Sequence, residues 1–370
     1  MFSKRHLLRS SMVVGFFSFL GSLTGIAVEI SIAAHLGLSR SSDTFYIAFT
    51  VPYIITNLIS ATGQFSLVPF FSSLDSDGSA RDLWHGFSYA LNLVALGLAA
   101  IAILGALLAP WVILAIAPGF THAQSAAAAG LARWLFFIIV PAGVAEIFRS
   151  FLFSRHRFAL GSAAGFIRNV AVIGFILFGF HRYGDGSIVM GYFAGYCAQV
   201  LVLGGQVIAA FPVRYTLALR GAGMAFRRLH GAGASQIIAA LGWQGVALVE
   251  RVIASFLPPG TITALNYGLK IMSTLAELVA GSVGTSALPA LSHAVVIRAV
   301  AVEQQIFRNA LEISLILLSP VMACCLALAQ PMMQLLFQHG RFSPEATRRM
   351  ALVFFCYCLS LLFFSAIRLL

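Results

Sequence analysis

Ionisable side chains inside apolar runs are costly in hydrocarbon, so those present carry the first functional question. Glu29 lies in the outer part of the first apolar run, and Glu250 and Arg251 lie at the matching place in the seventh. Lys270 follows Asn266 and Tyr267 inside the eighth, with Glu277 seven residues further on the same helical face. Glu146 and Arg149, three apart in the fourth run, can pair. Arg168 and Asn169 stand in the middle of the fifth. Asp43 stands where the first outer loop enters the second run, which also carries Thr56, Asn57, Gln64 and Ser66 beside Pro52, Gly63 and Pro69. Cations, carboxylates, amides and hydroxyls in such places hold a polar solute. They do not form the nucleophile–base pairs that break bonds.

Plainer roles compete with these. Glu146 and Arg149 read as a structural pair near the inner interface, Arg251 can snorkel to the outer one, and Asp43 can cap the second span. The prolines and glycine of the second span mark either an irregular helix lining a cavity or a bent packing helix. No HExxH, GxSxG or P-loop motif occurs, and the nine histidines are scattered at segment ends. Neither enzyme activity, nor a metal, nor a cofactor is expected. Cys197, Cys324, Cys325, Cys356 and Cys358 all fall in apolar runs without metal-site spacing and read as buried thiols.

The elements that must position these residues are membrane spans. Of 370 residues 60% are hydrophobic and 9% charged, with a mean hydropathy of +0.93. Soluble domains run at about 25% charged, so a water-soluble enzyme or a disordered chain is excluded. Runs long enough to cross about 30 Å of hydrocarbon fall at 11–35, 44–72, 84–108, 131–153, 159–180, 187–210, 234–257, 264–292, 304–328 and 347–367. The fold class is therefore an all-α polytopic membrane protein of about ten transmembrane helices. The formal charge of +11 reads as loop retention on the cytoplasmic side, not as nucleic-acid binding. With the N-terminus inside, fourteen basic residues fall at cytoplasmic ends and six opposite. Residues 1–210 then form an N-terminal lobe of six helices. Residues 211–233 form a basic, glycine-interrupted linker along the cytoplasmic interface. Residues 234–370 form a C-terminal lobe with four helices present.

An internal repeat supports this division. A shift of 221 residues places Glu29 on Glu250, Ile32 on Ile253, Ala33 on Ala254, Leu36 on Leu257 and Tyr46 on Tyr267. Equivalent spans are six apart, so the repeat is parallel, its pseudo-two-fold axis along the membrane normal. Transporters place substrate sites between such repeats.

Several stretches resemble one family in combination. Ser42-Asp43-Thr44-Phe45-Tyr46-Ile47-Ala48-Phe49, Val51-Pro52 and Gly63-Gln64-Phe65-Ser66-Leu67-Val68-Pro69 resemble the second segment of the MurJ/MviN lipid II flippases. Ala117-Pro118-Gly119-Phe120 is similar to the turn after that family's third segment, and Arg157-Phe158 with Asn169 to its fifth. Ala254-Ser255-Phe256-Leu257-Pro258-Pro259-Gly260, Ala264-Leu265-Asn266-Tyr267 and Gly284-Thr285 with Leu288-Pro289-Ala290-Leu291-Ser292 resemble segments seven and eight. Leu336-Phe337-Gln338-His339-Gly340-Arg341-Phe342 resembles the loop before the tenth.

The resemblance implies two six-helix lobes around a cavity and alternating access that moves an undecaprenyl-pyrophosphate-linked peptidoglycan precursor across the inner membrane. It implies a monomer whose partners are that lipid-linked sugar and membrane lipids, without nucleic acid. The implied substrate-binding set is Lys270, Asp43, Glu29, Arg251, Glu250, Asn57, Thr56 and Gln64. The chain departs from the family pattern at Ser22, Val28, Thr56 and Asn57, where arginines are expected, and at Lys270, a lysine for an arginine. The family has at least twelve segments, so the second lobe reads as incomplete. These departures keep alternatives open: another polyprenyl-linked polysaccharide unit, an ion-coupled drug exporter, or an inactive shortened relative.

Overall fold

The computed structural model describes residues 4–77, 80–217, 234–277 and 300–363, and they form helices with no strand among them. Helix α1 spans Lys4–Leu36. At 1.5 Å per residue it is about 50 Å long, more than the hydrocarbon requires. Helix α2 spans Arg40–Thr62. Its start is capped reciprocally: the Ser42 amide donates to Ser39 Oγ at 3.3 Å and the Ser39 amide to Ser42 Oγ at 3.0 Å. A serine thus fills the capping-box place that usually holds Glu or Gln. A π-helical turn, Gly63–Leu67, joins α2 to α3, Val68–Asp77. The irregularity expected from Pro52, Gly63 and Pro69 is therefore real and begins at the glycine. Helices α4 (Ala80–Ile116), α5 (His122–Leu135), α6 (Ile139–Ser154), α7 (Phe158–Tyr183) and α8 (Gly186–Ala210) follow. Then come α9 (Ala234–Ala254), α10 (Thr261–Ala276), α11 (Val300–Ala327), α12 (Ala329–Phe337) and α13 (Pro344–Leu359).

Among the described residues seven helical stretches are long and apolar enough to cross a membrane: 12–36, 40–74, 81–116, 122–154, 158–183, 186–210 and 304–327. They correspond to seven of the ten expected runs. The other three, at 234–257, 264–292 and 347–367, contain α9, α10 and α13. The last two run partly beyond the described residues, as do Gly284 and Leu288–Ser292.

The chain packs as two compact units, one of Met1–Ser31 with Asp43–Pro258, the other of Ile32–Ser42 with Pro259–Leu370. The first has an aromatic core in which Phe151 of α6 meets Phe71 of α3, and Trp84 and Phe87 of α4, at centroid distances of 5.0–5.6 Å. The second buries Met272, Ala276, Leu318 and Leu361 together, and Tyr267 stacks on Phe337 at 5.0 Å. Most of the expected linker, 218–233, lies outside the described residues. Its first part is extended and tied to α4: the Tyr215 hydroxyl donates to Asn92 Oδ1 at 2.6 Å and the Thr216 amide to Ser88 Oγ at 3.1 Å.

The internal repeat recurs in the contacts. In the first unit the Gly119 amide donates to Ser255 Oγ at 3.0 Å, and a Cβ on Gly119 would stand 2.4 Å from the Ser255 carbonyl oxygen. In the second unit the Arg341 amide donates to the Ala34 carbonyl at 2.8 Å, and a Cβ on Gly340 would stand 2.3 Å from that oxygen. Gly340 stands on Gly119, and Ser255 on Ala34, at the same 221-residue separation that Thr263 and Ser42 show in their 2.9 Å hydroxyl bond. Glycine is required at both loops because the backbones touch there. Each loop then starts a capped helix, through Thr121 at α5 and Ser343 at α13.

The cysteines divide. Cys325 and Cys358 are buried and Cys197 half-buried, but Cys324 and Cys356 are exposed on the helix surface. This corrects the reading of all five as buried. Residues one or two apart point about 100° or 200° from each other, so one thiol of each pair faces outward.

Candidate functional site

Helices α2, α6, α7 and α8 of the first unit enclose a polar cavity of about 90 Å³. Thr56 and Asn57 of α2, Glu146 and Arg149 of α6, Arg168 of α7 and Gln199 of α8 line it.

Glu146 is 5% exposed. Its Oε2 lies 3.2 Å from Arg149 Nε, and Ser150 Oγ donates to its Oε1 at 3.3 Å. The (i, i+3) spacing brings the guanidinium over, and the (i, i+4) spacing brings the hydroxyl. The π-helical turn lies against Glu146. Gly63 packs directly on the carboxylate: a Cβ there would stand 1.9 Å from Oε1 and 2.6 Å from Cγ. A π-turn inserted at a helix joint is a feature that recurs at functional sites. Here it lets α2 pass close to a buried acid.

Arg168 sits halfway along α7. Its Nε and Nη2 donate to Asn169 Oδ1 at 3.2 and 3.1 Å, and its Nη1 to the Tyr196 hydroxyl at 3.3 Å. The guanidinium also lies 5.3 Å from the Tyr196 ring centroid, within cation–π range. Asn169 in turn donates to the Gly21 carbonyl at 3.0 Å and to Thr24 Oγ1 at 3.2 Å, which ties the arginine to α1. Gln199 is anchored on the Ala164 carbonyl, so α7 and α8 are joined by polar contacts across the cavity floor.

The eight expected site residues are distributed unevenly. Thr56 and Asn57 line the cavity. Gln64, one residue into the π-helical turn, is exposed. Glu29 is half-buried and accepts a short hydrogen bond from the Tyr46 hydroxyl. Asp43 is buried in the first turn of α2, where Ser39 takes the capping position. Glu250 is half-buried, and Arg251 is 8% exposed, so its head does not reach out to an interface. Lys270 of α10 is half-buried in the second unit, and among the described residues no hydrogen-bond or ion-pair partner meets its ammonium. Glu277 ends the same segment and is exposed. Sequence reasoning read Glu146 and Arg149 as a structural pair and named Arg168 and Asn169 as mid-span candidates, without placing any of them in the expected binding set. The signal for the cavity was the lone arginine in the middle of an apolar helix. No local pattern showed that α2 would face it.

A multipass bundle of apolar helices with charged and amide groups turned into an internal cavity is the architecture of a membrane transporter. The chain belongs to the lipid II flippase MurJ family, whose model matches residues 32–370. It is 27% identical to the lipid II flippase MurJ of Burkholderia cenocepacia over 362 residues, covering 94% of this chain and 69% of the relative. It is 24% identical to the probable lipid II flippase MurJ of Thermotoga maritima over 357 residues, 95% and 71% of the two chains. Its fold is similar to a lipid II flippase MurJ in an inward closed conformation, with a TM-score of 0.80 at 20% identity over 96% of this chain and 74% of that one. It also resembles an inward-facing multidrug resistance MATE family transporter of the MOP superfamily, with a TM-score of 0.69 at 12% identity over 94% and 82%.

Proposed function

We propose that this chain is a flippase that carries lipid II, an undecaprenyl-pyrophosphate-linked peptidoglycan precursor, across the bacterial inner membrane by alternating access. The family match over residues 32–370 is the observation that carries the reading. Physical chemistry agrees with it. A pyrophosphate cannot cross hydrocarbon bare, and intramembrane Lys270 and the polar cavity of the first unit offer charge-assisted bonds. Lys270 acts as a point charge on the phosphates, without the two-pronged geometry of an arginine. Thr56 and Asn57 contribute neutral hydrogen bonds, while Glu29, Asp43, Gln64, Glu250 and Arg251 complete the polar path. The protein acts as a monomer with its N-terminus in the cytoplasm, as two lobes at 1–210 and 234–370 joined by 211–233, and catalyses no bond cleavage.

The test is expression of the chain in a bacterium depleted of its own lipid II flippase. Rescue of growth and cell shape is expected. A membrane-inserted, well-expressed chain that fails to rescue would remove lipid II as the substrate. The neutral residues at 22, 28, 56 and 57 favour, in that case, another polyprenyl-linked polysaccharide unit.

A further inference from the structure

We propose that Cys325 of α11 and Cys358 of α13 are a modification site, a dithiol pair that hydrogen peroxide closes to a disulfide tying the two helices together within the second unit. The proposal goes beyond the flippase reading and does not depend on what the chain carries.

Position comes first. Cys325 is 4% exposed and Cys358 1% exposed. Val321 and Met322 of α11 pack in one buried cluster with Leu361 and Leu362, just beyond the end of α13. Cys325 stands three and four residues after Met322 and Val321, and Cys358 three and four before Leu361 and Leu362. Those spacings put each thiol on the face that its helix turns to the other. A side-chain hydrogen bond joins the two thiols. The remaining cysteines are placed differently: Cys324 and Cys356 are exposed, and Cys197 belongs to the first unit.

Burial selects the oxidant. A disulfide oxidoreductase must bring its own sulfur against the attacking one, and a pair sealed between packed helices gives it no room. Hydrogen peroxide is neutral and only slightly larger than water. The Cys325 sulfur attacks one peroxide oxygen and the O–O bond breaks. The leaving hydroxide takes the Cys325 proton and departs as water, and a sulfenic acid remains on Cys325. The Cys358 sulfur then attacks the Cys325 sulfur. The S–O bond breaks, the S–S bond forms, and the released hydroxide leaves with the Cys358 proton as a second water. The two sulfurs together lose two electrons, and the peroxide gains them. Cys325 attacks first because its thiolate would accept the hydrogen bond from Cys358. The hydrogen-bond donor is also the resolving thiol, so the sulfenic acid is consumed before it advances to sulfinic acid.

The experiment treats the purified full chain in nanodiscs with hydrogen peroxide, then denatures it, alkylates it with maleimide and maps its peptides by mass. A chain carrying Cys197→Ser, Cys324→Ser and Cys356→Ser keeps only the pair. Both of its thiols should lose the label together and yield a peptide linked between 325 and 358, lighter by two hydrogens. Dithiothreitol should restore both labels and lower the melting temperature, because the link constrains the unfolded chain. In detergent-unfolded chain the link should form at least about tenfold more slowly, since only the fold holds the sulfurs together. Adding Cys358→Ser should leave a dimedone-reactive sulfenic acid on Cys325 and no link. The same linked peptide should appear in the wild type, whose map stands even where a substituted chain fails to fold. Labels that survive peroxide on both cysteines would overturn the proposal. So would separate oxidation of the two without a linked peptide, equal rates in folded and unfolded chain, or wild-type links that run through Cys324 or Cys356 instead.

Discussion

Replacing Gly63 by alanine tests whether the π-helical turn is fitted to Glu146. The new Cβ would stand 1.9 Å from Oε1, 2.5 Å from Cδ and 2.6 Å from Cγ of Glu146. All three atoms must move, so rotation of the carboxylate alone does not relieve the contact. The displacement strains the 3.2 Å approach to Arg149 and the 3.3 Å bond from Ser150. Overpacking of this kind costs about 1–3 kcal/mol, and full loss of the buried pair raises the cost to about 3–5 kcal/mol. Glu146→Ala removes the clashing atoms, so Gly63→Ala should be nearly neutral in that background. The assay is a double-mutant cycle on reversible unfolding in detergent micelles, with a coupling of at least about 1 kcal/mol expected. An equal cost of Gly63→Ala in both backgrounds would refute the fit between turn and acid.

Two further perturbations probe the framework. Asn169→Ala deletes the acceptor of Arg168 and two bonds to α1; unfolding should show a loss of about 0.5–2 kcal/mol, the range for polar contacts between membrane helices. Gly340→Ala drives a Cβ to 2.3 Å from a backbone oxygen at a residue with φ of 59°, and Gly119→Ala does the same to its repeat counterpart without the positive φ. Both should lower stability by about 1–3 kcal/mol, with Gly340→Ala the worse; a neutral Gly340→Ala would contradict the close backbone approach.

Much of the helix layout was legible because a bilayer imposes length and hydropathy on each span. The runs at 159–180 and 187–210 became α7 and α8 within a few residues. The Glu146–Arg149 pair was legible because its spacing is local. The 221-residue repeat was legible through Glu29 and Glu250, and its contacts at Gly119 and Gly340 follow the same offset. The cavity was not legible. Thr56, Glu146, Arg168 and Gln199 are brought together by packing between helices far apart in sequence, and no periodicity encodes which faces meet. The start of α2 is closed by reciprocal bonds between Ser39 and Ser42, a pair that the local pattern alone does not single out. Of the second unit's expected features, Lys270 and Glu277 fall on described residues, while those from 278 to 299 lie outside them.

The most direct measurement is transfer of fluorescent lipid II across the bilayer of vesicles containing the purified chain, beside Lys270→Ala. The wild type should move the lipid faster than empty vesicles, and Lys270→Ala should slow it about 10- to 100-fold, the loss of one charge-assisted contact to phosphate. Folded, inserted wild-type protein that moves lipid II no faster than empty vesicles would contradict the account. Full activity in Lys270→Ala would remove that residue from the substrate path.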